Sequence, residues 1–143
     1  MKLKFKKFYM SVAFDAANLS HCVRNKVGSV IVQNDSIISY GYNGTPSGDD
    51  NCCETEENNT KSEVIHAEIN AIAKAAKEGY SCDGAFMFIT MSPCIECAKL
   101  IKQSGIKEVW YYHGYRDMSG VYFLRDRGVE CYQFGDYIGE RHE

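Results

Sequence analysis

The sequence predicts a single α/β domain of three layers, with helices on both faces of a central five-stranded mixed sheet. Three observations carry that reading. Short β-rich runs alternate with amphipathic helical runs in the order α-β-β-α-β-α-β-α-β. The first two strands are joined by a tight polar turn, whereas later strands are separated by helix-length segments, which favours parallel neighbours there. The 143 residues, 45% apolar, suffice for one buried core, and no repeat, linker or low-complexity segment divides residues 1–143 into more than one domain.

Each element has a local reason. Tyr9, Val12, Ala13, Ala16 and Leu19 (with Ala17 as a further candidate) recur at helical spacing, so residues 8–19 are expected to form the first amphipathic helix. Residues 27–32 and 37–42 are rich in β-formers. Gln33, Asn34, Asp35 and Ser36 between them supply turn chemistry, so the pair reads as a hairpin. Residues 43–62 are polar and punctuated by Gly44, Pro46, Gly48, Asp49, Asp50, Cys52 and Cys53. A loop of that length is expected to be functional or tied down by a metal. Residues 66–77 form a helix stopped at Gly79, and 85–90 a nearly continuous apolar strand covered on both faces. Ser92 as N-cap and Pro93 at the first helical position open a helix that runs to Ser104 and stops at Gly105. Residues 108–112 form a strand, 119–127 a helix ended by Gly128, and 129–134 a last strand. The tail 136–143 is expected to fray.

Composition narrows the function. The net charge of −3 argues against a nucleic-acid binder working through a broad basic surface, though it permits a local basic pocket for one phosphate. Seven cysteines, an odd count, do not suit a secreted disulfide scaffold. Lys2, Lys4, Lys6 and Lys7 before the apolar residues 8–14 imitate a signal peptide, but Asp15 cuts the run short and no small-residue cleavage site follows. No stretch is long and apolar enough to cross a membrane. A reducing cytoplasm is therefore the expected setting (the host's, if the source is viral), with the cysteines divided between metal binding and burial and the sequon Asn58-Asn59-Thr60 without meaning.

The chemistry lies in a split motif, His66-Ala67-Glu68 followed by Pro93-Cys94-Ile95-Glu96-Cys97. Structural zinc sites usually close with four protein ligands, whereas catalytic ones use three and leave a position open. His66, Cys94 and Cys97 supply three ligands of the borderline-soft kind that suits zinc, and Glu68 is a spare carboxylate. Cys94 and Cys97, three apart at a helix start, face one side, and the helix N-terminus favours their thiolate form. His66 and Glu68, two apart, point to different faces in mid-helix but can both reach over a helix end. Alone, a Pro-Cys-x-x-Cys is as often a zinc knuckle or redox pair, and a lone His-x-Glu carries almost nothing. Joined in this order they form the known signature of zinc nucleobase deaminases, in which the Glu is the proton carrier and not a ligand.

At these residues the chain resembles the deoxycytidylate (dCMP) deaminases, in particular those of bacteriophages, within the cytidine deaminase-like zinc family. The resemblance covers most of the chain, from Tyr9 to Phe134. It rests on residues 22–32 (CVRNKVGSVIV), 41–48 (GYNGTPSG), 66–72 (HAEINAI) and 92–109 (SPCIECAKLIKQSGIKEV). The zinc motif fits any member of the wider family, and the GYNGTPSG segment narrows it to deoxycytidylate. The resemblance implies hydrolysis of dCMP to dUMP and ammonia, a step that feeds dTMP synthesis. It implies that Asn43 holds the deoxyribose 3′-hydroxyl, that Ala67 lines the substrate site, and that Tyr115 closes over the sugar or phosphate. Lys77 is implied to reach toward the 5′-phosphate or a subunit interface, and Arg24 and Lys26 are further candidate phosphate contacts, against the plain alternative that Lys26, Lys74 and Lys77 are solvated cations and Asn43-Gly44 a tight turn. The family further implies a homohexamer, activation by dCTP, inhibition by dTTP, and Mg²⁺ bridging the triphosphate near the first helix and the GYNG loop, where Asp49 and Asp50 are candidates. A second, structural zinc in some phage members points to Cys22, Cys52, Cys53 and His21. However, the histidine-bearing insertion is nearly absent, and no histidine lies between residues 53 and 66.

Two rivals remain at this level. One is a deaminase of the same fold acting on tRNA adenosine, guanine or a free nucleoside. A tRNA enzyme would be expected to be more basic, and a nucleoside enzyme needs no phosphate grip. The other is a non-catalytic, zinc-stapled binding module, which needs a fourth protein ligand from His113, Cys82 or Cys131.

Overall fold

The computed structural model describes residues 1–135, so the tail 136–143 lies outside the described residues. Nine elements follow in the expected order: α1 (Leu3–Ala17), β1 (Gly28–Gln33), β2 (Ser36–Tyr42), α2 (Ala67–Lys77), β3 (Phe86–Met91), α3 (Ile95–Gln103), β4 (Glu108–His113), α4 (Ser119–Asp126) and β5 (Glu130–Gln133). The strands form one mixed sheet in the order β2-β1-β3-β4-β5. β1 is antiparallel to β2 and β3, while β3, β4 and β5 run parallel. The tight turn after β1 has Asn34 and Asp35 at φ of 52° and 60°, with Gln33 facing Ser36. This is the left-handed two-residue turn that matches strand twist and that Asn and Asp tolerate.

Alternation along the strands divides the core between two faces. Val30, Val32, Phe88 and Trp110 turn toward Tyr9, Met10 and Ala13 of α1. Ile31, Met87, Ile89, Val109 and Tyr111 turn the other way, onto Ala71 and Ala75 of α2, Ala98 and Ile101 of α3, and Val121 and Leu124 of α4. One helix covers one face and three cover the other, which gives three layers. The central strands are buried on both sides, as their unbroken apolar character requires.

Two helices differ by more than one residue from the sequence expectation, for identifiable reasons. α1 begins at Leu3 instead of residue 8, because the lysine-rich start is itself helical. Lys6 is nearly buried, with its ammonium 4.2 Å from the centre of the Trp110 ring. The helix also ends earlier, at Ala17, leaving Leu19 exposed. α3 begins at Ile95, after Cys94 instead of Ser92. The Cys94 sulfur accepts the Cys97 N–H and is the N-cap, while Ser92 Oγ accepts the Tyr115 N–H at 2.8 Å. Pro93 thus precedes the cap.

The sheet positions α2 closely. A Cβ at Gly41 of β2 would lie 2.4 Å from the Ala67 carbonyl oxygen and 2.6 Å from the Ala71 nitrogen, both backbone atoms. Gly41→Ala is therefore expected to push the first turn of α2 outward and to cost about 2–3 kcal/mol of stability, as overpacking against an unyielding backbone does. Urea unfolding measures it, and a loss below about 0.5 kcal/mol, the range of neutral surface changes, would mean that α2 is not seated on β2.

Candidate active site

The start of β1, the end of β2 and the C-terminal ends of β3 and β4 share one edge of the sheet, and a pocket opens there. Such an edge is where open α/β sheets commonly bind ligands. Two helices begin at it. His66 is the N-cap position of α2 and Cys94 that of α3, and both have extended backbone before the helix starts. Cys97, on the first turn of α3, is fully buried.

These three side chains converge. His66 Nδ1 lies 3.3 Å from Cys97 Sγ and 3.6 Å from Cys94 Sγ, and all three ligand atoms fall within 4.8 Å of one another. Zn–S bonds of about 2.3 Å and Zn–N bonds of about 2.0–2.1 Å at a tetrahedral angle put N and S roughly 3.6 Å apart. The donor set and its spacing therefore fit a zinc ion without rearrangement. The Cys94 thiolate is held far below the usual thiol range, at about 3, first by a hydrogen bond from Cys97 and then by His66. Cys97 is correspondingly raised, since it keeps the shared proton and is buried. One imidazole, one thiolate and one thiol that gives up its proton to a cation make a zinc donor set.

Glu68, second residue of α2, is 4% exposed and also lines the pocket. Burial raises its carboxyl to about 7, opposed by a bond from its own backbone N–H, by the charge of His66 and by the Cys97 thiol. A carboxyl poised near neutrality is suited to carrying a proton in both directions. No fourth ligand joins the cluster among the described residues. His113 instead packs its ring against Phe14 and Tyr112, and Cys82 and Cys131 belong to the core between the sheet and α2–α4.

The other residues singled out in the sequence divide. Asn43, Ala67, Arg24 and Tyr115 line the pocket. Asn43 is nearly buried. Its Oδ1 accepts the Val27 N–H at 2.9 Å and its Nδ2 donates to the Asn25 carbonyl at 2.8 Å, which ties β2 to the segment before β1. Lys26 is outside the lining, its ammonium 2.9 Å from the Ser20 carbonyl. Lys77 is exposed in the last turn of α2, at the far end of the helix from Glu68, and is also outside the lining. Lys74 lies over the Tyr40 ring at 3.4 Å. Asp49 and Asp50 line a separate surface recess with Thr45, Lys61 and Glu63.

Of the four candidates for a second zinc, two come together and two do not. Cys22 and Cys53 form a disulfide, with Glu54 as their neighbour. Cys52 is exposed, its Sγ 3.3 Å from the Glu54 carbonyl, and His21 is exposed and outside the group. The expected division of cysteines between metal binding and burial therefore misses this pair, because the 43–62 loop folds back and brings residue 53 beside residue 22. Sequence reasoning also missed Glu54, Thr60, Ser92 and Met91 in the lining. Glu54 stands alone in a polar loop, with no periodicity or motif to mark it as buried.

A family model for the cytidine and deoxycytidylate deaminase zinc-binding region matches residues 3–113. The chain belongs to that family. It is 34% identical over 166 residues to the deoxycytidylate deaminase of Enterobacteria phage T4, covering 86% of each chain. It is 41% identical over 118 residues to the human deoxycytidylate deaminase, covering 75% of this chain and 64% of that one. The crystal structure of dCMP deaminase from the cyanophage S-TIM5, in complex with dCMP and dUMP, superposes with a TM-score of 0.92 at 45% identity, covering 94% of this chain and 99% of that chain. This deaminase family is zinc-binding, and the His66, Cys94 and Cys97 cluster lies within the matched residues. Among the described residues no helix is long and apolar enough to cross a membrane.

Proposed function

We propose that this chain deaminates dCMP hydrolytically to dUMP and ammonia. The observation that carries the reading is the buried Glu68 beside a three-ligand cluster, in a pocket whose lining, among the described residues, includes a single Arg or Lys side chain, Arg24. His66, Cys94 and Cys97 hold the zinc in this reading. Zinc bound there supplies the acidity that makes water a nucleophile at neutral pH.

The chain's own groups do the rest. The Glu68 carboxylate takes one proton of the attacking water and delivers it to the ring nitrogen next to the reacting carbon; it then takes the remaining proton of the new hydroxyl as the carbonyl forms and gives it to the departing amine. Its burial lifts its proton affinity to near neutrality. Asn43 retains one donor hydrogen and acceptor capacity beyond its two backbone bonds, enough to meet a sugar hydroxyl. Arg24 offers the planar, permanently charged fork that suits a monophosphate. Tyr115, half exposed and held by its backbone bond to Ser92, covers the sugar or phosphate.

The test is ammonia release from dCMP, deoxycytidine, CMP and adenosine. The expected result is turnover of dCMP at least about a hundredfold above deoxycytidine, the worth of two charge-assisted phosphate contacts. Equal turnover of the nucleoside would remove the phosphate grip, and turnover of adenosine alone would replace the substrate. The family resemblance extends the reading to a homohexamer with dCTP and dTTP as opposing effectors and Mg²⁺ on the triphosphate. Repeating the assay with each nucleotide, and light scattering for mass, tests that part separately.

A further inference from the structure

We propose that Glu54 is a positioning residue for substrate selection, acting through Arg24; this rests on the reading of the substrate as a nucleoside monophosphate. Glu54 is 8% exposed, a carboxylate without a cation partner in the described ion pairs. Its Oε2 accepts two consecutive backbone amides, Val23 N–H at 2.9 Å and Arg24 N–H at 3.1 Å. Across a one-residue antiparallel bridge from Glu54 stands Thr60, whose Oγ1 accepts Arg24 Nη1 at 3.2 Å. The turn between them is closed by Thr55 N–H to Asn59 O and Lys61 N–H to Cys53 O, each 2.7 Å. Cys53, next to Glu54, is bonded to Cys22, next to Val23. Three successive residues, 22 to 24, are thus fastened to one small hairpin of the long loop.

This fastening fits a binding role better than a purely structural one. Among the described residues Arg24 is the one Arg or Lys side chain in the pocket lining, and Glu54 and Thr60 line the same pocket. An unshielded carboxylate there would repel a phosphate. Glu54 instead directs its charge into two amides, and the same contact fixes the backbone from which Arg24 springs. Thr60 then sets the guanidinium's direction without neutralising it. A preorganised Arg loses less freedom on meeting an anion than a wandering surface Lys. The disulfide alone would hold residue 22 but would leave residues 23 and 24 free to turn about it.

The readout is the ratio of kcat/KM for dCMP to that for deoxycytidine, in wild type, Arg24→Ala, Glu54→Ala, Glu54→Gln, Thr60→Val and the Arg24→Ala/Glu54→Ala double variant. Glu54→Ala is expected to lower the ratio about tenfold, the worth of one charge-assisted hydrogen bond, and to do so through KM for dCMP. Glu54→Gln keeps an acceptor for the two amides and is expected to restore most of the ratio. In the Arg24→Ala background the second substitution is expected to change the ratio less than about twofold, because coupled residues are not additive. If Arg24→Ala removes the preference and Glu54→Ala does not, or if their effects multiply, the positioning role is wrong while the monophosphate reading stands. If wild type shows no preference for dCMP, or Arg24→Ala retains it, the phosphate reading itself fails. Should Glu54→Ala not fold, Thr60→Val carries the test. It is expected to lower the ratio about threefold, the worth of one neutral-partner bond, and an unchanged ratio overturns the proposal.

Discussion

Glu68→Gln is expected to retain its zinc and to lose turnover of dCMP by about a thousandfold, the middle of the range for a positioned acid–base group. Gln has nearly the same shape, so a side chain only 4% exposed leaves no cavity on replacement. Its amide oxygen still accepts from the neighbouring N–H and thiol, so the start of α2 and the position of Cys97 are not disturbed. Glu68 stands outside the His66, Cys94 and Cys97 cluster, so no metal ligand is lost. What disappears is a carboxyl able to accept a proton near pH 7 and return it, a property that burial gives to Glu68 and that no amide has. The loss should therefore fall in kcat, with KM for dCMP changed by less than about threefold, because the missing interaction belongs to the transition state. Steady-state kinetics and elemental analysis on one preparation decide it. Turnover within about tenfold of wild type, below the contribution expected of such a group, would reassign the proton carrier.

Much of this arrangement was legible in the sequence because its parts are local. A metal ligand immediately before each of two helices needs only short-range signals, and the helix starts after residues 66 and 94 fall where the motif demands. The hairpin was equally plain, since Asn34 and Asp35 tolerate the left-handed backbone that the turn requires. Misjudged boundaries came from competition between two capable groups. Ser92 is the better N-cap by general preference, yet the Cys94 sulfur takes the cap because it must already lie over the helix end beside His66. Likewise the lysines before residue 8 looked like a charged preface, and the packing of Lys6 over Trp110 within the extended helix is a long-range contact that no local pattern announces. Least legible was the clamp on residues 22–24. Glu54, Thr60 and Cys53 act there through contacts 30 or more residues apart in the chain, and such pairings carry no periodicity. The remote position of Lys77 has a simpler cause. Sharing a helix with Glu68 does not bring a residue to the same pocket when they occupy opposite ends of it.

Loss of one zinc ligand is expected to have the largest effect of all. Cys97 is fully buried and its neighbours at the site are His66, Cys94 and Glu68. Cys97→Ala leaves two donors where the chemistry needs three, so zinc content is expected to fall from about one per chain to a small fraction, and activity below detection. Stability should follow, because an ion that binds only the folded chain adds roughly 4 kcal/mol at a thousandfold excess over its Kd. For a domain of this size that corresponds to a Tm lower by about 10 °C. Chelation of the wild type isolates the metal's share from that of the lost side chain. Dialysis against a chelator should lower Tm and abolish ammonia release together, and added Zn²⁺ should restore both. Glu68→Gln, carried through the same cycle, should show the full shift in Tm while remaining inactive at every stage. Ligation and proton transfer are then separated within one site: the first moves stability and activity, the second activity alone. If chelated wild type kept its activity, or if Cys97→Ala held zinc as firmly as before, His66, Cys94 and Cys97 would not be the metal ligands and the chemistry assigned to this pocket would have no basis.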